Sequence, residues 1–221
     1  LYKYEKLISW VENIKETNQS STAALCIMKD NKIVLEHYSG THSNTPTSKK
    51  VTISSQFNVA SARKSYLGLM VAYAVYEGKI KSLDDEAVNY FKEYDPSLLG
   101  KTTIRHLVTH SHGLNETDDG TAFREFEPGQ AWAYRDINVR MVTQLIYHLY
   151  NKSFPELLKE RVFIPADFKE TGWRIKQDDN LVKVVVNPDE DAISSVGAVD
   201  DGSEKNLLSL RENLHFGVTC I

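Results

Sequence analysis

The stretch Phe57-Asn58-Val59-Ala60-Ser61-Ala62-Arg63-Lys64-Ser65 runs into an almost uninterrupted apolar segment, Tyr66 to Tyr76, before Glu77-Gly78-Lys79-Ile80 closes it. It contains the only Ser-x-x-Lys of the chain, Ser61 and Lys64. On a helix, positions i and i+3 share a face, so the hydroxyl and the amine can approach hydrogen-bonding distance. An unassisted serine is a poor nucleophile at neutral pH. A lysine held in a dry setting loses its proton more readily than in water and can then accept the serine proton. A helix apolar nearly all round reads as a buried central one, which would supply that setting. Ser61 at its start places its backbone N–H where developing negative charge is favoured. The plainer alternative makes Ser61 an N-cap and Lys64 a surface residue.

Upstream, Tyr4, Leu7, Ile8, Val11 and Ile14 repeat at helical spacing, which predicts an amphipathic helix. Ala23 to Met28 and Lys32 to Tyr38 are short β-prone runs around Lys29-Asp30-Asn31, a hairpin signal. Gly40 to Lys50 reads as an exposed loop. Downstream, Ser82-Leu83-Asp84-Asp85 has the capping chemistry of a helix start. Helices are expected over Thr103 to Val108, Asn138 to Tyr150 and Phe154 to Phe163, a short strand at Val182 to Val186, and a helical pattern from Ser209 to Ile221. A helix, a hairpin and then many helices predict an α+β fold, an antiparallel sheet with a helical region inserted, in one domain over residues 1–221.

The 26 basic and 30 acidic residues give a net charge of −4 with no long run of one sign, so nucleic acid is not an expected partner. No stretch approaches the roughly 18 uninterrupted apolar residues of a membrane span, and no signal peptide is visible. Cys26 and Cys220 match no metal or redox spacing and read as buried free thiols. No Gly-x-Ser-x-Gly pentapeptide occurs, which removes the lipase-type serine site.

The segment from Phe57 to Leu83 resembles the nucleophile region of the penicillin-recognising serine hydrolases, which include class C β-lactamases, D-Ala-D-Ala carboxypeptidases and related esterases. Thr103-Ile104-Arg105-His106-Leu107-Val108-Thr109-His110-Ser111-His112-Gly113-Leu114 is similar to the signature that follows the nucleophile helix in that superfamily. Pro128-Gly129-Gln130-Ala131-Trp132-Ala133-Tyr134 resembles the approach to its catalytic tyrosine. The three matches come in the family's order and cover most of the chain to about Trp173. The resemblance implies a β-lactamase/transpeptidase-like fold and a serine hydrolase needing no cofactor. Its substrate would be a small molecule or peptide: a β-lactam, a D-Ala-D-Ala peptide or a small ester or amide.

Carried over residue by residue, Ser61 is the nucleophile, Lys64 its base, and Tyr134 the tyrosine of the Tyr-x-Asn motif, relaying protons. Packing at a helix start is the alternative for Tyr134. Asp136 stands where that motif has Asn. An ionised Asp only accepts hydrogen bonds, so it cannot donate to a substrate carbonyl as Asn can. That turns the expectation from β-lactam recognition toward ester or amide hydrolysis. His106, His110 and His112 also suggest metal ligands, although the first two fall where relatives that need no metal carry histidines. His112 stands where Ser is more usual.

His215-Phe216-Gly217 mimics the His-x-Gly form of the family's third motif, but the surrounding pattern predicts a helix there rather than a strand. The third motif and the C-terminal strands are therefore expected to be absent from this sequence, and with them one oxyanion-hole donor, a loss worth roughly 10²–10³ in rate. A binding protein or β-lactam sensor that keeps the fold without turnover is the rival to the enzyme. Compartment, whether exported, cell-envelope or cytoplasmic, and oligomeric state stay open.

Overall fold

A computed structural model describes residues 2–173, 179–182 and 214–217. In chain order its main elements are α1 (Glu5–Thr17), β1 (Thr22–Lys29), β2 (Lys32–Gly40), β3 (Gln56–Asn58), α2 (Lys64–Tyr76), α3 (Pro96–Leu99), α4 (Ile104–Val108), β4 (Leu114–Glu116), β5 (Ala122–Arg124), α5 (Ile137–Tyr150), α6 (Phe154–Leu158), β6 (Thr171–Trp173) and β7 (Leu214–Gly217). The described residues form two compact units, one built from residues up to 60 with 159–173, 179–182 and 214–217, the other from residues 61–158.

The first unit holds the predicted hairpin. β1 and β2 pair antiparallel from Thr22↔Gly40 to Lys29↔Lys32, turning through Asp30 and Asn31, both in the left-handed region that these two residue types tolerate. α1 packs against β1. Of its apolar positions Ile8 and Val11 are half-buried, while Leu7, Trp10 and Ile14 remain exposed. Its inward face also carries Glu12, whose carboxylate accepts from Lys15 and from His37 of β2. Hydrogen bonds from Lys15, Ser39 and His37 hold that carboxyl down at about 2. Cys26 is disulfide-bonded rather than a free thiol. Spacing rules read cysteines that are close in sequence, and so were silent on it. Cys220 lies outside the described residues.

β3, β7 and β6 form a three-stranded antiparallel sheet with β7 in the middle. Its register pairs Phe57 with Phe216 on one side and Thr171 with Phe216 on the other. The helix expected from Ser209 to Ile221 is thus a strand at Leu214–Gly217. Backbone pairing on both edges outweighs the weak helical pattern of so short a run. Of the strand expected at Val182 to Val186, only Val182 is described, and the bridge lies one residue earlier, where Leu181 pairs in parallel with Gln56.

The second unit has a helical core. α2 packs on α5, and α4 on α5. Leu67, Met70, Val71 and Ala74 of α2 are buried with Met141, Val142, Leu145 and Ile146 of α5, and Ile104 and Leu107 of α4 add to the layer. The i, i+3, i+4, i+7 spacing on α2 is that of one buried stripe. Its other side is open, with Tyr76 88% and Leu69 39% exposed. The apolar sequence of α2 therefore does not make it a helix enclosed on all sides. The helix start expected at Ser82 is a turn instead. There Ser82 Oγ accepts the Asp84 N–H, and Asp85 accepts from Ser82 N–H and the Tyr90 hydroxyl. The expected helices at Thr103, Asn138 and Phe154 are present, with the last giving way to a π-helical turn at Lys159–Phe163.

Candidate active site

Ser61 lies in a 3₁₀ turn, Ala60–Arg63, one residue pair ahead of the α-helix proper, which starts at Lys64. Ala60 takes φ +43°, a left-handed backbone that a residue with a Cβ rarely adopts. Its N–H is held by the Asn58 side-chain oxygen at 2.8 Å. The local fold thus spends backbone strain where the chain turns from β3 toward the candidate nucleophile, a pattern common at functional positions.

Lys64 Nζ donates to Ser61 Oγ at 2.9 Å and to Tyr134 Oη at 2.6 Å. The three groups that the sequence singles out thus meet at one atom, although Lys64 and Tyr134 are 70 residues apart. Tyr134 comes from the segment before α5. Partial burial pulls its phenol upward, but side-chain hydrogen bonds with Lys64 and Ser61, together with the Lys64 charge, outweigh that and hold it below the usual tyrosine range. The setting is open rather than dry: Ser61 is exposed, Lys64 half-buried and Tyr134 44% exposed. Proton movement here is favoured by contact among the three groups more than by exclusion of water.

Asp136 is exposed at the N-cap position of α5, and its side chain does not cap that helix. Its charge bears on Tyr134, on His110 and on Arg63. Burial drives the Arg63 guanidinium downward against the favourable charge of Asp136. Arg63, inside the Ser-x-x-Lys itself, carried no sequence signal for a role at Asp136.

The three histidines have three separate tasks. His106 completes a capping box on α4: its N–H donates to Thr103 Oγ1, and its Nδ1 accepts the Thr103 N–H at 3.1 Å. His112 is buried and accepts the Leu114 N–H on Nδ1 at 2.9 Å. Burial, then the nearby His110, pushes its ring down to about 4. A serine there could satisfy the same N–H, so the histidine is a larger solution to one backbone need. His110 lies against Tyr134, with ring centroids 4.6 Å apart and planes 17° apart. Among the described residues no three His, Cys, Asp or Glu side chains are grouped to hold a metal.

Arg135, between Tyr134 and Asp136, is held by Glu125 through two hydrogen bonds of 3.0 and 2.9 Å, and itself donates to the Tyr134 carbonyl. Glu125 also accepts from Asn115.

Residues 7–204 match the Beta-lactamase family. The chain belongs to that family. The chain is 38% identical over 212 residues to an uncharacterised protein of Alkalihalophilus pseudofirmus, covering 95% of this chain and 62% of that one. It is 25% identical over 186 residues to a D-aminopeptidase of Brucella anthropi, covering 74% of this chain and 35% of the relative. The chain therefore spans between about a third and two thirds of the length of these relatives.

Among solved structures it is similar to a D-alanine carboxypeptidase from Burkholderia cenocepacia, with TM-score 0.72 and 18% identity over 94% of this chain and 58% of that one. It is also similar to an octameric penicillin-binding protein homologue from Pyrococcus abyssi, with TM-score 0.72 and 18% identity over 85% of this chain and 49% of that one. At such identities these show the fold, which is β-lactamase/transpeptidase-like. Among the described residues of this Beta-lactamase-family chain, no helix is long and apolar enough to cross a membrane.

Proposed function

We propose that this site forms an acyl-enzyme on Ser61 and that the chain's substrate is a small ester, an amide, a D-Ala-D-Ala peptide or a β-lactam. The observation that carries the reading is the placement of Lys64 Nζ within 2.9 Å of Ser61 Oγ and 2.6 Å of Tyr134 Oη. In the reactive protonation state Lys64 is the neutral amine and takes the Ser61 proton as Oγ bonds to the substrate carbonyl carbon. Tyr134 receives that proton from Lys64 and delivers it to the leaving oxygen or nitrogen as the acyl bond breaks. Water then adds to the ester on Ser61, its proton returns through the same pair, and Ser61 Oγ leaves. Burial pulls the Tyr134 phenol upward, but its side-chain hydrogen bonds with Lys64 and Ser61 outweigh that and hold it below the usual tyrosine range, so it gives its proton to the leaving group more readily. An ionised Asp136 cannot donate to a substrate amide carbonyl as an Asn would, which supports small esters and amides over β-lactams.

The test is incubation with a fluorescent penicillin and with p-nitrophenyl acetate, followed by intact-mass measurement. Covalent mass on Ser61 with a burst and steady release is the expected result for a hydrolase. A stable adduct without release identifies a sensor. No adduct and no release, unchanged in Ser61→Ala, refutes both.

A further inference from the structure

We infer that His110 is a positioning residue that aims Tyr134 at Lys64, gripping the Ala133-Tyr134-Arg135 segment through both of its neighbouring backbone N–H groups and through the phenol ring. The inference rests on the acyl-transfer reading for its consequence in rate, but its geometry stands apart from turnover. His110 follows α4 in the left-handed region, at φ +57°. That backbone conformation is uncommon for a non-glycine residue, and it turns the carbonyl and the ring toward the same segment.

The carbonyl accepts the Ala133 N–H at 3.0 Å. Nδ1 of the ring accepts the Arg135 N–H at 3.4 Å, with Asn138 Nδ2 at 3.3 Å from the same nitrogen. Asn138 is fixed in turn, buried, with Nδ2 donating to the Leu107 carbonyl at 2.7 Å. The imidazole plane then covers one face of Tyr134, 4.6 Å between centroids, while Lys64 Nζ lies 4.8 Å from the centre of the same phenol ring and bonds its oxygen. Three attachments from one residue to three consecutive residues fix the phenol in its plane and along its axis.

Two donors converge on Nδ1, so the ring is the neutral tautomer with its proton on Nε2. A proton on Nδ1 would break both contacts and place a cation beside Lys64. The groups that bear on this ring are Lys64 of α2, Asp136 and Tyr134 of the segment entering α5, and His112 below it. Burial first, then the Lys64 charge, keep the imidazole neutral, with Asp136 opposing. His110 thus holds the relay without exchanging protons in it.

The test uses the whole chain with its tyrosines labelled at Cζ, the Tyr134 signal being assigned through Tyr134→Phe, and its histidines labelled with ¹⁵N. In the wild type, Nδ1 of His110 is expected to be unprotonated at pH 8. His110→Ala is expected to raise the Tyr134 titration midpoint toward the ordinary tyrosine range, as the phenol drifts from Lys64. Acylation of Ser61 by an activated ester is expected to slow at least tenfold. His110→Phe, which keeps a ring but no acceptor, moves the midpoint the same way by less. An unmoved Tyr134 midpoint in both variants overturns the proposal. A protonated Nδ1 in the wild type also overturns it, and that measurement needs no variant to fold. If the wild type never acylates, the hydrolase reading fails while the tyrosine titration still decides the role of His110.

Discussion

Replacing Arg124 by Met should cost this chain about 3–4 kcal/mol of stability, because one guanidinium closes four backbone ends. Arg124 leaves β5 and donates from Nη1 to the carbonyls of His112 and Phe126 at 3.0 and 3.2 Å. From Nη2 it donates to the carbonyls of Leu98 and Leu99 and to Thr102 Oγ1. Thr102 and His112 are fully buried, so water cannot replace the lost donor at these two sites, while the Leu99 carbonyl keeps the Thr102 N–H. A hydrogen bond to a charged group contributes about 1.5–3 kcal/mol, and a buried acceptor left alone costs about 1–3 kcal/mol. Two of the five acceptors stranded, less the desolvation that Arg124 no longer suffers, gives the expected figure. Methionine keeps the stem volume, so packing loss stays small. Arg124→Lys should recover only about half, since one ammonium cannot reach both pairs of carbonyls. Urea unfolding followed by tryptophan fluorescence measures it. A loss under about 1 kcal/mol for Met, or full recovery by Lys, would refute the claim that these carbonyls depend on the guanidinium.

Other expectations are as direct. A Cβ on Gly113, at φ +68°, would sit 1.8 Å from the Phe126 carbonyl oxygen, so Gly113→Ala should lower the thermal midpoint sharply or leave no folded protein, as read by circular dichroism. Thr103→Ala removes the oxygen that caps α4 and should cost about 1 kcal/mol in the same urea assay. His112 titrates near 4 in the folded chain against 6.5 in its free state. Its neutral form is the one that folds, so its contribution is complete above pH 6.5 and is lost as pH falls from there to about 4. Across that window stability should drop by at most about 3 kcal/mol, and in His112→Ser the slope between pH 6.5 and 4 should flatten.

The approach of Ser61, Lys64 and Tyr134 was more legible in the sequence than the sheet. Ser61 and Lys64 share a helical turn, so their approach followed from spacing, and Tyr134 followed from its ordered place after the Thr103–Leu114 signature. α5 was legible because fourteen residues give several turns of amphipathic pattern. β7 was not: Leu214–Gly217 is four residues, too few to separate a period of two from one of 3.6. Ser82 had the chemistry of a cap but no periodic segment behind it to continue a helix. The open side of α2 was hidden because hydrophobicity reports what could be buried, not what is. His110 was visible only as a possible ligand, since its grip on Ala133 and Arg135 depends on a left-handed backbone that no side-chain pattern announces.

The central position of β7 has a consequence for the order in which the chain acquires its structure. The described residues of the second unit, 61–158, are contiguous, so their contacts can form once Leu158 has been synthesised. The β3–β7–β6 sheet must wait for Gly217 to return to Gln56, a closure spanning most of the chain. Long-range strand pairing is slow because the entropy of the loop is lost before any contact rewards it. During synthesis β3 therefore has an unmatched edge long after the segment bearing Ser61, Lys64 and Tyr134 is in place. Truncations ahead of Leu214 should leave the segment around Lys64 and Tyr134 protected in pulsed hydrogen exchange while Phe57 and Asn58 lose protection, Gln56 keeping its N–H on the Asn180 carbonyl.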